Sequence, residues 1–166
     1  MKRFSIIVCL MIASCGLFSQ SKDQVYAGII MHITKYVEWE GNQTTVIKIG
    51  IVNNAKLVDA LNKIVKGNNL NFKNVEVSKK SDVNDIDDLD ILFLTKKSAG
   101  LCNKISPKAA EKNILVITEM KSASMICPSI NLFEDKGKLK FELYTKIIDN
   151  CGLMVSEQLK KYAVLK

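Results

Sequence analysis

Residues able to do acid–base or nucleophilic chemistry are few in this 166-residue chain. His32 is the single histidine, and its place within a helical apolar pattern favours a partly buried histidine of the core. Glu38 and Glu40 flank Trp39, the single tryptophan, but a helix turns by about 100° per residue, so this spacing makes no carboxylate pair. Nucleophile-elbow, dinucleotide-binding and phosphate-loop motifs are absent from the sequence. We therefore predict a protein that binds, with no enzymatic activity and no cofactor.

The segment SDVNDIDDLD, residues 81–90, raises the question of a calcium site because it holds five aspartates. An EF-hand loop places oxygen ligands at alternating positions followed by a glycine, whereas this segment lacks glycine and puts Ile86 out of place. A zinc site would need a C-x-x-C pair or further histidines, and the sequence has neither. The sequence predicts a solvated acidic loop and no metal site.

The first residues have the layout of a secretory signal peptide. A basic segment (residues 1–3) precedes an apolar run (residues 4–13) that is too short to cross a bilayer, and small and polar residues follow. We assign residues 1–19 to a signal peptide and predict export. Two kinds of cleavage stay open: a lipobox-like phrase ends at Cys15, which would then carry a lipid, whereas ordinary cleavage near Ser19 would release a protein without an anchor.

The kind of basic residue, more than the net charge, argues against nucleic acid as a partner. The full chain has 24 basic and 17 acidic side chains, a formal charge of +7. Lys2 and Arg3 leave with the signal peptide, so 22 basic and 17 acidic side chains remain, a charge of +5. Arg3 is the single arginine, and a surface with lysine alone lacks the bidentate contacts that read guanine or clamp phosphate. We read these lysines as a solvated surface.

Three of the five cysteines, Cys102, Cys127 and Cys151, fall within the predicted domain. Export places them in an oxidising compartment, which favours one disulfide and one remaining thiol. Spacing does not decide which two cysteines pair. We choose Cys102 and Cys127, because Cys151 lies on the apolar face of a predicted helix and suits a buried free thiol.

Apolar periodicity predicts helices and strands in alternation along residues 22–166, which we treat as one domain. The runs Ile91–Leu94 and Ile114–Ile117 are apolar without interruption, which is typical of strands that are buried on both faces of a sheet. The predicted order is a helix (23–38), a strand (46–52), a helix ending at Gly67, a strand around 72–77, the two buried strands with a short helix (97–112) between them, a hairpin (130–143) and a helix (146–165). The fold class is therefore α/β: a three-layer-like mixed β-sheet flanked by helices, closing with a β-hairpin and a C-terminal helix.

Several phrases, in this order and spacing, resemble the YfiR-like (HmsC-like) family of periplasmic proteins. VYAGIIMHITKYVEWE (25–40) resembles the family's opening helix, and IKIGIVNN (47–54) resembles its first strand and turn. LDILFLT (89–95) and NILVITE (113–119) resemble the two central strands, and residues 130–159 resemble the closing hairpin and final helix. The chain departs from the pattern at three positions, where Cys127-Pro128 replaces paired glycines, Tyr144 replaces an asparagine and Asp90 replaces a cysteine.

The resemblance implies a periplasmic regulator that binds the periplasmic domain of an inner-membrane diguanylate cyclase and holds the cyclase inactive, which limits cyclic-di-GMP and biofilm formation. Contact with the membrane is then expected only through the partner or a lipid anchor, and a homodimer stays open. The residues that we expect first at the partner surface are Tyr36, Trp39, Phe141, Glu142 and Tyr144. Trp39 keeps two interpretations, a cover on the core or an aromatic anchor for the partner.

Two other functions stay open from the sequence. The domain would be a small-ligand receptor if a pocket lined by Tyr36, Trp39 and hairpin residues held an apolar or aromatic metabolite. It would be an accessory protein of another envelope signalling system if its partner had no link to cyclic-di-GMP.

Overall fold

The computed structural model describes residues 21–39, 46–67, 74–120 and 127–166. Five α-helices and nine strands lie within these ranges, and a 3₁₀ turn (Ala99–Leu101) leads into the third helix. The predicted signal peptide and Cys15 lie outside the described residues. In chain order the elements are α1 (Lys22–Ile33), β1 (Val37–Trp39), β2 (Val46–Val52), α2 (Ala55–Gly67), β3 (Asn74–Lys80), β4 (Ile91–Leu94), α3 (Cys102–Glu111), β5 (Leu115–Glu119), β6 (Ile130–Asp135), β7 (Lys138–Leu143), α4 (Thr145–Asn150), β8 (Leu153–Val155), α5 (Glu157–Lys160) and β9 (Val164–Leu165).

Seven of the strands form one mixed sheet in the order β3-β2-β4-β5-β6-β7-β9. All neighbours are parallel except β6 and β7, which form the predicted antiparallel hairpin. Lys136 and Gly137 connect these two strands with positive φ angles of 49° and 73°, as a two-residue turn between twisted strands requires. The remaining two strands, β1 and β8, pair with each other in a small antiparallel sheet. The mixed α/β fold predicted from the sequence is confirmed.

The sheet separates two hydrophobic cores. On one face, α1, α2 and α4 cover alternate residues of the strands, such as Ile49, Phe93 and Ile117. On the other face, α3 and the loop of residues 81–90 cover the intervening residues, such as Leu92 and Val116. This explains why Ile91–Leu94 is buried throughout: helices or loops cover both faces of β4, as the uninterrupted apolar run predicted.

The acidic segment is a loop whose apolar residues anchor it to the second core. Val83, Ile86 and Leu89 recur every third residue and are at most 5% exposed. Exposed aspartates point outward: Asp87 accepts a hydrogen bond from the Lys108 ammonium at 2.9 Å. Lysine partners therefore offset the negative charges, and the loop serves as a cover over the sheet.

The first predicted helix is too long, because α1 ends at Ile33 and residues 37–39 form β1. Val37 and Trp39 are buried on one side of β1 while Glu38 is exposed, the alternation of a half-buried strand. β1 pairs with β8, where Val37 lies opposite Val155. A β-branched or aromatic sequence favours a strand when a partner is present, and this partner lies over a hundred residues along the chain.

The predicted C-terminal helix over 146–165 is wrong in extent. α4 ends at Asn150, and Gly152 adopts a φ of +61° that an α-helix does not allow. β8 follows, and Ser156 then caps α5 by accepting a hydrogen bond from the Leu159 N–H at 3.3 Å. β9 adds the last strand to the large sheet. The apolar residues assigned to one helical face therefore separate, and Tyr162 is 74% exposed.

The cysteines divide between the two cores. Cys102 and Cys127, the pair chosen from the sequence, are joined by a disulfide bond with Cα atoms 5.8 Å apart. Both lie in the second core, where the bond links the start of α3 to the residues that precede β6. Cys151 is a buried free thiol in the first core, and burial raises the pKa of this thiol.

Candidate partner-binding site

A groove of about 1410 Å³ runs along the face of the sheet that carries α1 and α2. Its floor is apolar and includes Ile29 and Ile64 from the two helices and Phe141 from β7. Charged and polar side chains stand at its edges, among them Lys56 and Asp59 of α2. An apolar floor with polar edges is the usual composition of a site that takes a ligand or a partner segment. The full lining is Ser21, Asp23, Gln24, Val25, Gly28, Ile29, His32, Ile33, Lys56, Asp59, Ala60, Lys63, Ile64, Leu139, Phe141 and Leu159.

The helix α1 presents the groove because its amino end is fixed. Ser21 and Gln24 form a capping box, in which the Ser21 hydroxyl accepts from the Gln24 N–H and the Gln24 amide oxygen accepts from the Ser21 N–H. The Asp23 carboxylate accepts a hydrogen bond from Asn54 at 2.8 Å, and Asn54 also accepts from the Leu57 N–H at the start of α2. This chain of contacts sets the spacing between α1 and α2 at one end of the groove.

Gly28 leaves the groove open at its centre. It lies in the interior of α1, is exposed, and a Cβ atom built on it would meet no atom within 4 Å. A glycine in a helix interior costs about 1 kcal/mol relative to alanine. The helix therefore gives up stability at a position of the groove lining where a Cβ atom would have open space around it.

His32 is exposed and lines the groove, so the predicted core histidine is wrong. The core-facing positions of this helical turn are taken by Ile30, Met31 and Ile33, which leaves His32 on the outer side. Its ring meets the Tyr36 ring edge-on, with centroids 4.8 Å apart. The apolar pattern alone did not distinguish the edge of the buried stripe from its centre.

Trp39 is part of the first core and is 8% exposed. Its indole N–H donates a hydrogen bond to the backbone oxygen of Asn113 at 3.0 Å, so the polar edge of the ring is already bound within the fold. Trp39 lies opposite Leu153 in the small sheet. Of the two interpretations of Trp39, its position favours a cover on the core.

Glu142 and Tyr144 lie on the opposite face of the large sheet from Phe141. Side chains alternate along a strand, and Thr118, Asn131 and Glu142 stand side by side on β5, β6 and β7. Their hydrogen bonds run along the row: Thr118 donates to Asn131 at 3.0 Å, and Asn131 donates to Glu142 at 3.0 Å. The Tyr144 hydroxyl also donates to Glu142 at 3.0 Å.

This polar row is internally satisfied. Asn131 is fully buried, and its amide also exchanges two hydrogen bonds with the backbone of Met120, at 2.9 and 3.2 Å. The Lys166 ammonium lies 3.6 Å from Glu142. Burial and the neighbouring Glu142 carboxylate raise the pKa of Tyr144 to about 12. Glu142 and Tyr144 therefore hold β5, β6 and β7 together, and little of either side chain is free for a partner.

The five residues expected at a partner surface thus fall in different places. Phe141 lines the groove. Tyr36 is half-buried next to His32, and Trp39 is in the core. Glu142 and Tyr144 belong to the row on the far face. Gly28 and the α2 residues of the groove were not predicted from the sequence, although Lys56, Ala60, Lys63 and Ile64 recur at helical spacing on one side of α2.

A second crevice of about 400 Å³ lies where β5 ends, beside the first turn of α1. Lys22 contacts Glu119 at this point, and its ammonium lies 5.1 Å from the centre of the Tyr26 ring. The hydrogen bond to Glu119 raises the pKa of Lys22, and burial raises the pKa of Tyr26. Two of the charged groups of this crevice, Lys22 and Glu119, are therefore engaged with each other.

Two kinds of site are absent from residues 21–39, 46–67, 74–120 and 127–166. No three side chains of the histidine, cysteine, aspartate and glutamate types gather as a metal would require. None of the helices in these ranges is both long enough and apolar enough to span a membrane.

Comparison with known proteins gives both the fold and the family. Eight chains of solved structures match, one of them an ABC domain from Streptococcus pneumonia in complex with L-Trp, with a TM-score of 0.56 and 11% identity. The match covers 86% of this chain and 59% of that one, and at this identity it supports the fold alone. No curated protein matches the sequence. The family model described as YfiR/HmsC-like matches residues 23–164. The chain belongs to the YfiR/HmsC-like family.

Proposed function

We propose that this chain is a periplasmic regulator that binds the periplasmic domain of a membrane-bound diguanylate cyclase and holds the enzyme inactive. The observation that carries the proposal is the family match over residues 23–164, since the family points to periplasmic regulation of cyclic-di-GMP signalling. The chain itself acts by binding and does no chemistry.

The groove beside α1 and α2 is the surface that we assign to the partner. It is the larger of the two concave sites described above, and it joins an apolar floor to charged edges. A segment that packs on Ile29, Ile64 and Phe141 would gain affinity from apolar burial, and Lys56 and Asp59 would fix its orientation. The row around Glu142 offers no comparable opening, because its groups bind each other.

Regulation then follows from a difference in affinity. A protein that binds one state of its partner more tightly shifts the partner toward that state. To convert a population ratio of 1:99 into 99:1, the preference must reach about 5.5 kcal/mol. A groove that accepts only the inactive arrangement of the partner's segment would supply such a preference, because the active arrangement would leave the apolar floor exposed.

The cellular test is deletion of the gene followed by measurement of cyclic-di-GMP. We expect the level to rise in the deletion strain and to return on expression of the wild-type chain. A level that stays constant in every growth condition would contradict the proposal.

The test of the site is a substitution that fills the groove and spares the fold. Gly28→Trp adds a large side chain at an open, exposed position, so we expect normal folding and a loss of binding to partner captured from membranes. Gly100→Trp is the matched control, because Gly100 is also exposed with no atom within 4 Å but lies in the 3₁₀ turn that precedes α3. Equal capture by both variants would remove the groove from the proposal.

A small-ligand receptor is the second candidate, and the volume of the groove is the observation that favours it. The pocket expected from the sequence was to include Tyr36 and Trp39, whereas the groove has Phe141 and Leu139 of the hairpin without either of those two. A ligand that binds only the folded protein raises its melting temperature. A screen of metabolites that raises the melting temperature of the wild type, but not of Gly28→Trp, would support this function.

A further inference from the structure

The large apolar side chains that the described residues leave exposed are all near the carboxyl end of the sequence. They are Met154, Tyr162, Val164 and Leu165, with exposed fractions between 40% and 74%. Three of them fall within residues 160–166, KKYAVLK, which we call the tail segment. Scattered single apolar residues on a surface are ordinary, but a cluster of them marks a surface that contacts something.

The tail segment is fixed in place by its backbone. The Tyr162 and Ala163 N–H groups donate to the backbone oxygens of Leu159 and Lys160, each at 3.2 Å. The Lys166 N–H donates to the oxygen of Leu143 at 2.9 Å, and the Lys166 oxygen accepts from the Thr145 N–H at 3.3 Å. Terminal residues usually fray unless they are tied down in this way. The exposed side chains are therefore held on an ordered surface and need no ordering when they bind.

Lysines surround these apolar side chains. The tail segment contains Lys160, Lys161 and Lys166 and no acidic residue. Lys146 lies in α4, next to Thr145, which bonds the backbone of Lys166. The acidic neighbours are Glu157, which lies 2.7 Å from Lys160, Asp149 on α4, and Glu142, which is bound within the polar row.

The balance of charge around the tail segment is positive. Glu157 is 81% exposed at its side chain, so its contact with Lys160 neutralises little in water. Counting the four lysines against Glu142, Asp149 and Glu157 leaves an excess of one positive charge. An anionic surface would therefore attract this part of the protein.

We propose that the tail segment docks on an anionic lipid surface through the free edge of β9, with Tyr162 at the headgroup level, Val164 and Leu165 on the two sides of the strand, and the lysines on lipid phosphates. A tyrosine suits this position because its ring is apolar and its hydroxyl stays hydrated. The lysine stems lie along the apolar boundary while the ammonium groups reach the phosphates. Each lysine near such a surface contributes an affinity that salt weakens.

Lipid fits the tail segment better than a protein strand does. β9 contributes two residues to the sheet edge, which gives an added strand few backbone groups to pair with. A flat surface of phosphates needs no register and matches the scattered lysines. From the sequence alone, contact with the membrane was expected only through a partner or a lipid anchor.

The experiment uses tryptophan emission from the full-length chain, so that binding is detected at the tail itself. Tyr162→Trp places a reporter in the segment, and the wild type gives the baseline from Trp39, which is buried. Vesicles contain phosphatidylglycerol, or only phosphatidylcholine, with brominated acyl chains that quench tryptophan on contact. We expect quenching of Tyr162→Trp by the phosphatidylglycerol vesicles. Lys79→Trp, on β3 at the other end of the sheet, should stay unquenched.

A pair of charge variants, each made in the Tyr162→Trp chain, tests the role of the lysines. Removing two charges with Lys160→Gln and Lys161→Gln should raise the lipid concentration for half-maximal quenching by about thirtyfold. The control, Lys66→Gln with Lys79→Gln, removes the same charge from α2 and β3 and should leave that concentration unchanged. Quenching that is absent, equal on both lipids, or equal in both charge variants would overturn the proposal. An emission change that depends on protein concentration without lipid would overturn it in favour of self-association.

Discussion

At the scale of single residues, two glycines differ in the space that a side chain would have. Gly50 lies in β2, and a Cβ atom there would overlap the Leu89 side chain of the acidic loop. Gly28 has open space around it on α1. We expect Gly50→Ala to lower the free energy of unfolding by about 1–3 kcal/mol, because the second core has no room for the methyl group. We expect Gly28→Ala to raise it by about 0.5–1 kcal/mol.

Urea denaturation of the two alanine variants measures both changes in the free energy of unfolding. Each variant serves as the control for the other. A Gly50→Ala protein as stable as the wild type would mean that Leu89 moves aside freely and that the loop does not pack as tightly as described. A Gly28→Ala protein that is destabilised would mean that Gly28 is needed for the shape of α1.

Tyr144 predicts a loss of stability in alkaline solution. Its pKa is about 12 in the folded protein against an ordinary value of 10.0, so the fold favours the protonated, neutral phenol. This contribution is complete below pH 10 and is lost as the pH rises from 10 to 12. This difference in pKa corresponds to about 3 kcal/mol. Tyr144→Phe should flatten the fall in unfolding free energy across that window.

The Tyr144→Phe comparison has its own internal control. At neutral pH the variant should be less stable than the wild type by about 1 kcal/mol, because the Glu142 carboxylate loses one donor. Tyr26 remains in both proteins, and burial raises its pKa as well, so some dependence on pH persists. Equal slopes for the two proteins between pH 10 and 12 would show that the Tyr144 phenol does not control this loss.

At the scale of elements, the sequence predicted best where one local signal decides the structure. The uninterrupted runs at 91–94 and 114–117 and the hairpin at 130–143 are set by local sequence signals, and each was predicted as the kind of structure that is found. Residues 37–39 and 153–155 could not be predicted, because each becomes a strand only by pairing with the other. A helical pattern fits both segments equally well until the partner is known.

The groove was beyond prediction for a similar reason. Phe141 was identified by its place in the hairpin, but Gly28, Ala60 and Ile64 belong to two helices whose spacing is set by Asp23 and Asn54. Glu142 was expected at the partner surface together with Phe141, from the family resemblance. Adjacent strand residues face opposite sides of a sheet, and the sequence does not show which side carries the groove.

We expect the stability of the fold to depend on the disulfide, which forms in an oxidising compartment. Cys102 and Cys127 are 25 residues apart, and closing a loop of that length stabilises a folded chain by about 3–4 kcal/mol. We expect the double variant Cys102→Ala, Cys127→Ala to lose about that much in urea denaturation. Cys151→Ala, which removes a buried thiol without a bond, should cost about 1 kcal/mol. Reductant should lower the urea midpoint of the wild type and leave the urea midpoint of the double variant unchanged.

At the scale of the whole molecule, one sheet serves two surfaces with separate tasks. Its α1 and α2 side carries the groove that we assign to the partner, and its edge at β9 carries the tail segment that we assign to lipid. The opposite face is closed by α3 and the acidic loop. The sheet between these two surfaces fixes their relative position.

A shared sheet also predicts that the two hydrophobic cores unfold together. The strands β2, β4 and β5 contribute residues to both, so loss of packing on one face removes the support of the other.

Ile105→Ala opens a cavity in the second core and should lower the unfolding free energy by about 2–4 kcal/mol. Trp39 reports from the first core. Its fluorescence midpoint in urea should fall with the circular-dichroism midpoint, as a single transition. If Trp39 kept the wild-type midpoint while helical signal was lost earlier, α3 would be an independent unit, and the sheet would not couple the groove to the rest of the fold.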